Sequence, residues 1–481
     1  MAEIQRYDIL IVGSGEAGKY LAWTTAKAGH HTAVIERKLI GGSCPNIACL
    51  PSKNIIHSAK VADLCRRGME FGIATGSVRI NMTKVRDRKR KMVQDLVAMH
   101  LDRYTASGAE LILGEGRFVA PKILEVQLTG GGTRLVAGNR IFLNLGTRAS
   151  VPDVPGLAAV KPLTHVEALE LDHVPEHLIV LGGGFVGIEM AHAMRRFGSD
   201  VTVVEVGPQL IGREDPDVAE ALLRLFQDDG IDVLLSAHAL GVERLADNRI
   251  RMRIRTADGE RCIDGSEILV ATGRTPNTQG IGLDVADVEL DANGYIKVNE
   301  RLQTTAPDVW ALGECAGSPQ FTHAAFDDFR IVRDNLAGGQ RTTRDRLVPF
   351  CIFTDPQLAR VGLSETEAKN RGIEYRMAKI AMSAVLRTRT LSETRGFMKS
   401  LIDAHSDQIV GFTAFGPEAG ELMSLVQIAI LSRMPYTSVR DAILTHPTMA
   451  EGLVALLANV PELRSGPTDS RRLQEQQTQV A

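Results

Sequence analysis

Apolar residues gather along this chain in short, nearly continuous runs separated by helical patterns. Tyr7–Val12 (YDILIV) and His177–Leu181 (HLIVL) have the length and β-branched content of strands buried on both faces. Each run leads into a glycine-rich turn and then a stretch with apolar residues at three- and four-residue spacing, which predicts a helix. A Gly-bearing break follows, and a second apolar run ends in glutamate, Glu36 in the first copy and Glu205 in the second. Gly13 to Glu36 spans 23 positions, and so does Gly182 to Glu205. Two strand–helix–strand units in matching register predict two separate dinucleotide-binding domains.

Between the two units the pattern predicts helices over about 51–69 and 81–107, the second opening on an Asn81 cap, and short strands at Leu124–Leu128 and Ile141–Leu145. Ala271–Asn277 (ATGRTPN) reads as the exit from the second nucleotide unit, and Val309–Ala316 (VWALGECA) as another strand entering a Gly turn. From about Leu347 strands and helices continue without any Gly-x-Gly turn, which predicts an α+β domain. The fold class is therefore α/β: two Rossmann-like dinucleotide-binding domains plus a C-terminal α+β domain. Residues 467–481 are polar and are expected to be disordered.

Length agrees, since 481 residues correspond to roughly three domains of about 150. Charge narrows the partners: 55 Lys plus Arg against 58 Asp plus Glu leave −3, so no basic field holds a nucleic acid. No apolar run approaches the roughly 20 residues of a membrane span, and the short polar lead before Tyr7 leaves no room for a targeting peptide. Six cysteines in such a length do not make a disulfide scaffold, so the expected compartment is the reducing cytoplasm.

Gly13-Ser14-Gly15-Glu16-Ala17-Gly18 lets the backbone turn tightly and bring a helix N-terminus to a pyrophosphate, while Glu36 is placed to accept hydrogen bonds from the adenosine ribose. Gly182-Gly183-Gly184-Phe185-Val186-Gly187 repeats the argument. Glu205 there favours NAD over NADP, whose 2′-phosphate would meet a negative charge; the alternative is a solvated strand end. Cys44 and Cys49 stand in Gly41–Lys53 (GGSCPNIACLPSK). Five positions rise roughly 7.5 Å on an ideal helix, beyond the usual disulfide Cα separation of about 4.4–6.8 Å, so a bonded pair requires a break in the helix. Pro45 and Pro51 permit one. A Cys49 near a helix N-terminus and Lys53 would favour its thiolate; the alternative is two ordinary buried cysteines.

Gly-Gly-Ser-Cys-x4-Cys-x-Pro-Ser-Lys after such a fingerprint resembles the FAD-dependent pyridine nucleotide-disulfide oxidoreductases, the group of dihydrolipoamide dehydrogenase, glutathione reductase and mercuric reductase, over about Tyr7 to Val460. The resemblance implies a redox-active Cys44–Cys49 pair, and FAD held by residues 1–150 and 280–346 through Gly13, Ser14, Gly15, Ala17, Gly18, Glu36, Ser43, Lys53, Gly116, Thr147 and Glu314. It implies NAD(H) on residues 151–279 through Gly182, Gly184, Val186, Gly187, Glu189, Glu205 and Gly273, with Lys53 paired to Glu189. Glu314 stands where the family has Asp. His446-Pro447-Thr448-Met449-Ala450-Glu451 matches the family's acid–base motif, His446 the proton carrier and Glu451 its orienting carboxylate, with a cis peptide before Pro447. In the family this pair comes from the other subunit, so residues 347–466 are expected to form a dimerisation domain and the active site to be composite.

Dihydrolipoamide oxidation, a small dithiol–disulfide substrate, is the activity implied most directly. Mercuric reduction is the runner-up, from the wording of Arg213–Val218 and Pro45–Asn54, although no further cysteine pair stands near either end of the chain. An NADH:acceptor flavoenzyme would not need Cys44 or Cys49, and a redox sensor would leave His446 and Glu451 without a task. Cys65, Cys262, Cys315 and Cys351 read as small buried residues, the basic run Lys84–Lys91 as a solvated helix face, and no metal site is expected.

Overall fold

In the computed structural model, which describes residues 3–462, the first apolar run is strand β1 (Ile4–Val12). Helix α1 (Glu16–Lys27) and strand β2 (Thr32–Glu36) complete the first unit. Two helices, α2 (Ser43–Ile47) and α3 (Cys49–Arg66), carry the cysteine motif, and α4 (Met82–Ser107) starts at Asn81, whose side chain accepts from the Lys84 N–H at 3.0 Å. Strands β3 (Glu110–Ala120), β4 (Ile123–Leu128), β5 (Thr133–Leu143) and β6 (Thr147–Ala149) follow. β3, β2, β1 and β5 run parallel, and β4 joins the ends of β3 and β5 in antiparallel pairing. Leu10 and Val12 pack on one face of β1 and Ile9 and Ile11 on the other, which is why the run is apolar throughout.

The short helix α5 (His165–Ala168) precedes the second unit: β7 (His177–Leu181), α6 (Phe185–Phe197) and β8 (Asp200–Val204). Beyond α7 (Pro216–Asp228) come β9 (Asp232–Leu234), then β10 (His238–Arg244), β11 (Ile250–Thr256) and β12 (Gly259–Gly265), which form their own antiparallel sheet. β13 (Glu267–Val270) adds to β7, β8 and β9 in parallel, in the order β13-β7-β8-β9. β14 (Arg274–Pro276) then pairs back onto β6, and β15 (Val309–Ala311) onto β5, before α8 (Thr322–Leu336). The chain thus returns to the first sheet after building the second.

Packing divides the chain at Arg346/Leu347, with the short segment Arg213–Val218 belonging to the C-terminal unit. That unit holds an antiparallel sheet of β16 (Phe350–Ile352), β17 (Gln357–Gly362), β18 (Tyr375–Ala381), β19 (Phe397–Asp403) and β20 (Ile409–Gly416), in the order β16-β17-β20-β19-β18. Its helices are α9 (Glu365–Asn370), α10 (Leu386–Leu391), α11 (Ala419–Leu431), α12 (Tyr436–Arg440) and α13 (Gly452–Leu457). α11 buries Leu422, Met423 and Val426 in the core of this unit and exposes Leu425, Ile428 and Leu431.

Three expectations need correction. The basic run on α4 is a solvated face only in part: Lys84, Arg88, Arg90 and Lys91 are exposed, but Lys89 is 1% exposed and paired with Glu170, and Arg86 is half-buried and meets Asp172. Carboxylates far along the chain supply partners that no local spacing announces. Cys262 is exposed rather than buried, because β12 is the edge strand of its sheet and most of it faces solvent; Cys65 and Cys351 are only half-buried. Strand β5 begins at Thr133, earlier than its apolar end suggests, since its first half is held by the ladder to β4. The tail, 467–481, lies outside the described residues. No described helix is long and apolar enough to cross a membrane.

Candidate active site

The two glycine turns are built alike. Gly13 N–H donates to the Ile35 carbonyl at 2.8 Å, and Gly182 N–H to the Val204 carbonyl at 2.9 Å. Gly13 has φ 98°, and a Cβ there would stand 2.3 Å from the Asn144 carbonyl oxygen. A Cβ on Gly18 would meet the Gly13 carbonyl at 2.2 Å, and one on Gly187 the Gly182 carbonyl at 2.0 Å, so helix and strand approach closely only through these glycines. Glu36 closes the first loop, accepting from Ser14 N–H (2.9 Å), Ser14 Oγ (2.7 Å), Lys38 N–H (2.8 Å) and Leu39 N–H (2.9 Å). Those donors fill a carboxylate's capacity, so the ribose hydroxyl expected at Glu36 enters only where one of them gives way. Glu16, the first residue of α1, would repel a pyrophosphate. Lys19 Nζ holds it at 2.8 Å and also lies 3.2 Å from His100 Nε2.

Between α2 and α3, Ala48 takes φ −135° and ψ −107°, leaving the helical region and breaking the helix between the cysteines. The break is at Ala48 rather than at a proline. Pro51 sits in the first turn of α3, where a missing N–H is not needed. The Cys44 and Cys49 thiols meet in a hydrogen bond, and Cys49 Sγ lies 3.3 Å from Thr322 Oγ1. Hydrogen bonding from Cys44, helped by the Thr322 hydroxyl and the Lys53 charge, outweighs burial and brings the Cys49 pKa down to about 6. Cys44 is pushed the other way by its bond to Cys49, by burial and by the Cys49 charge, so the pair is a Cys49 thiolate held by a Cys44 thiol. Lys53 Nζ bonds Glu189 Oε2 at 2.7 Å, the pairing implied by the motif.

A cavity of about 720 Å³ opens over these elements. Gly13, Gly15, Glu36, Ser43, Cys44, Gly116, Thr147 and Glu314 stand on its wall. Ser14 is buried behind the loop it braces, and Cys49 does not reach the wall, whereas Cys44 does. Glu314 accepts from Thr147 Oγ1, and Arg274 Nε reaches Thr147 Oγ1 at 2.6 Å and Glu314 Oε2 at 3.3 Å. Its extra methylene over Asp lets the carboxylate meet these neighbours. Three contributors were not singled out from the sequence: Thr322, Arg274 and Asn144. Asn144 Oδ1 accepts the Gly18 N–H at 3.0 Å and its Nδ2 donates to the Leu312 carbonyl at 2.9 Å. The glycine fingerprint implied a brace of this kind, but not which residue supplies it.

At the second loop Gly184 caps α6, and Val186 is partly exposed. Glu205 accepts from Gly183 N–H and Gly207 N–H, both at 2.6 Å. Gly273, at φ 129°, directs the chain from β13 into β14. The Phe185 and Phe321 rings stand 6.2 Å apart. In the C-terminal unit His446 Nδ1 lies 2.9 and 3.0 Å from the two Glu451 oxygens, which leaves Nε2 available, and the His446–Pro447 peptide is cis.

Comparison with known proteins decides the family. Residues 7–328 match the pyridine nucleotide-disulphide oxidoreductase model, and residues 348–457 match that family's dimerisation domain. The chain is a pyridine nucleotide-disulphide oxidoreductase. Among its relatives is the probable pyridine nucleotide-disulfide oxidoreductase RclA of Escherichia coli, 32% identical over 95% of this chain and 100% of that protein. Mercuric reductase of Acidithiobacillus ferrooxidans is 34% identical over 93% of this chain and 82% of its own. The mitochondrial dihydrolipoyl dehydrogenase of Pisum sativum is 30% identical over 93% and 90%. The solved structure of the HOCl-induced flavoprotein disulfide reductase RclA superposes with a TM-score of 0.86 at 32% identity, covering 95% of this chain and 100% of that one.

As a member of this family the enzyme is an FAD flavoprotein that uses NAD(P)H. The residues fit FAD: a Gly13–Gly18 turn whose three glycines have no room for a Cβ, a cavity of dinucleotide size beside it, and Cys44 on the same wall. The second turn, with the same close approach at Gly187, fits the nicotinamide cofactor.

Proposed function

We propose that this flavoenzyme uses NADH to reduce a small disulfide, or in reverse oxidises a small dithiol, through Cys44 and Cys49, with a partner subunit's His446 and Glu451 managing the proton. The observation that carries the reading is the His446 Nδ1–Glu451 bond at 2.9 Å. It fixes the tautomer and frees Nε2 to give and take protons, a task that exchange between thiols and disulfides requires and a diaphorase does not. In this reading Cys44 gives its proton to His446 Nε2 and attacks one sulfur of the substrate. The departing sulfur takes that proton, leaving a mixed disulfide. Cys49, already a thiolate, attacks the Cys44 sulfur, releases the second half of the substrate as a thiolate, and closes the Cys44–Cys49 disulfide. Bound FAD supplies the two-electron relay between nicotinamide and cysteine pair. Residues 1–150 and 280–346 are assigned to FAD, 151–279 to NADH, and 347–466 to the dimer, in a reducing cytoplasm.

A second reading comes from the relatives: mercuric reductases are similar over most of this chain, and RclA has been solved as a Cu(II) complex. A soft metal ion would use the same two sulfurs as ligands. Steady-state turnover with NADH against lipoamide, oxidised glutathione, Hg²⁺ and Cu²⁺ separates them. His446→Ala is expected to slow disulfide turnover by about 10²–10⁴ and leave flavin reduction by NADH intact. Turnover of metal ions alone, indifferent to His446, would overturn the disulfide reading.

A further inference from the structure

Asp327 and Asp328 stand side by side on α8, and the fold uses them differently. Asp327 pairs with the half-exposed Arg341, whereas Asp328 is 0% exposed. Burying a carboxylate is costly unless its oxygens find donors, and here both do. Oδ2 accepts the Gly313 N–H at 2.6 Å and the Ser318 hydroxyl at 2.8 Å, and Oδ1 accepts from Arg346 Nη1 at 2.7 Å. Burial raises the carboxyl above its ordinary range, and Arg346, the Gly313 N–H and the Ser318 hydroxyl pull it back.

Gly313 and Ser318 flank Glu314, which the short helical turn Gly313–Ala316 presents to the cofactor cavity. The peptide entering that turn is gripped from both sides: Asn144 Nδ2 donates to the Leu312 carbonyl at 2.9 Å, and Asp328 takes the Gly313 N–H. Gly313 has φ 72°, and a Cβ there would stand 3.5 Å from the Ala325 Cβ, so the turn lies directly against α8. Thr322, Ala325 and Asp328 follow one another on α8 at three-residue spacing and so lie along one side of it. Thr322 and Ala325 share the cavity wall with Glu314, and Thr322 Oγ1 lies 3.3 Å from Cys49 Sγ. One buried carboxylate thus ties the turn that carries Glu314 to the helix that carries Thr322. Neither the glycine fingerprint nor the cysteine motif accounts for it.

We propose that Asp328 is a positioning residue that holds Glu314 and Thr322 in register across the cavity, and through them sets the hold on FAD and the charge on Cys49. The inference rests on the cofactor site of the family and not on the disulfide reading, and its readouts need no substrate.

Replacement in the full-length flavoprotein tests it. Asp328→Ala removes the acceptor, whereas Asp328→Asn keeps a carbonyl oxygen for the Gly313 N–H and the Ser318 hydroxyl and gives up only the charge toward Arg346. The dissociation constant for FAD, from fluorescence on reconstitution, is expected to rise about tenfold in Asp328→Ala and less than about threefold in Asp328→Asn. In two-electron-reduced enzyme, the long-wavelength band of a thiolate against oxidised flavin fades as pH falls. Its midpoint should move up by about half a pH unit or more in Asp328→Ala, as the Thr322 hydroxyl leaves the thiolate, and by less than about 0.2 in Asp328→Asn. Double-mutant cycles separate positioning from general packing. In a Thr322→Val background, Asp328→Ala should leave the midpoint where Thr322→Val puts it. In a Glu314→Gln background it should weaken FAD by less than about threefold. If Asp328→Ala does not fold, Asp328→Leu is compared with Asp328→Asn, each combined with Arg346→Met so that no buried charge is left unpaired. Folded Asp328→Ala enzyme with the wild-type affinity and midpoint overturns the proposal, and so do equal effects of alanine and asparagine. Additive effects in either background also overturn it, because they show that Asp328 does not act through Thr322 and Glu314.

Discussion

At the scale of single residues, the chemistry turns on the inequality of two cysteines one helix break apart. Cys49, with a pKa near 6, carries its charge at neutral pH, and Thr322 Oγ1 at 3.3 Å is one of the groups that stabilise it. A thiolate against oxidised flavin gives a long-wavelength charge-transfer band, so two-electron-reduced enzyme should show one that fades as pH falls through about 6. Thr322→Val removes a donor to the charged form, and the midpoint of the fading is expected to move up by about one pH unit or more. Cys49→Ser should abolish the band, whereas its loss in Cys44→Ser would assign the flavin-facing role to Cys44, the cysteine on the cavity wall. Glu205 makes a second prediction at this scale. With its carboxylate fixed by two amides at 2.6 Å, NADH should exceed NADPH in kcat/KM by at least about tenfold, or about 1.4 kcal/mol. Equal efficiencies would show that the carboxylate does not face the ribose.

Elements are joined by groups whose partners lie far away in sequence. In the C-terminal unit the Lys399 ammonium on β19 fills the space among Asp215 (2.7 Å), Asp217 (2.8 Å) and Glu365 (2.9 Å). Three carboxylates gathered this way resemble a cation site, and the cation is the lysine itself. Burial alone would raise the Asp215 pKa. Hydrogen bonds from Lys399, Thr366 and the Glu365 N–H outweigh it and hold the carboxyl well below its usual range. Lys399 is held above its usual range, its bonds to the same carboxylates outweighing burial. The sign follows for each group. A depressed carboxyl stabilises the fold above its unfolded pKa near 4 and loses that contribution as pH drops further. A raised ammonium contributes fully below its unfolded pKa near 10.4 and loses that contribution as pH rises through its folded value. The clamp is therefore complete between about pH 4 and pH 10. Lys399→Met, which leaves the acids unpaired, should destabilise this unit by about 3–5 kcal/mol, read as a lower first transition in denaturant unfolding. A change below about 1 kcal/mol would mean that the acids find other partners. None of this was legible in the sequence, where Lys399 and Asp215 are 184 positions apart. The Asn81 cap was legible because its partner, the Lys84 N–H, is three residues away, and the two glycine turns because each keeps its glycines within six consecutive positions.

For the whole molecule, the C-terminal unit leaves Leu425, Ile428 and Leu431 of α11 exposed, together with Ile443, three residues before His446. The match to the family's dimerisation domain supports a homodimer, and this apolar surface is the predicted contact with the second copy. If the site is composite, mixing inactive Cys44→Ser with inactive His446→Ala subunits restores activity. Random exchange makes half of the dimers mixed, each with one intact site of two, so recovery should approach about a quarter of wild type. Verified mixed dimers without activity would place His446 in its own subunit's site or outside catalysis.

The amino-acid sequence by itself determined the two strand–turn–helix–strand units, their matching register, the cysteine and histidine motifs, and from these the family and its cofactors. All of these are local: a tight turn needs glycine within a few positions, a buried strand reads as an apolar run, and a motif keeps its spacing wherever the fold puts it. The sequence already pointed to Cys49 as the charged cysteine; tertiary structure supplied groups that hold the charge, above all the Cys44 thiol across the helix break and Thr322, which is 273 residues from Cys49. It decided that Glu36 braces its own loop and that Lys89 and Arg86 of the basic run of α4 pair with Glu170 and Asp172. Hydrogen bonds and charges act over a few ångströms of space and take no account of distance along the chain, so pairings of this kind exist only once the sheets have assembled.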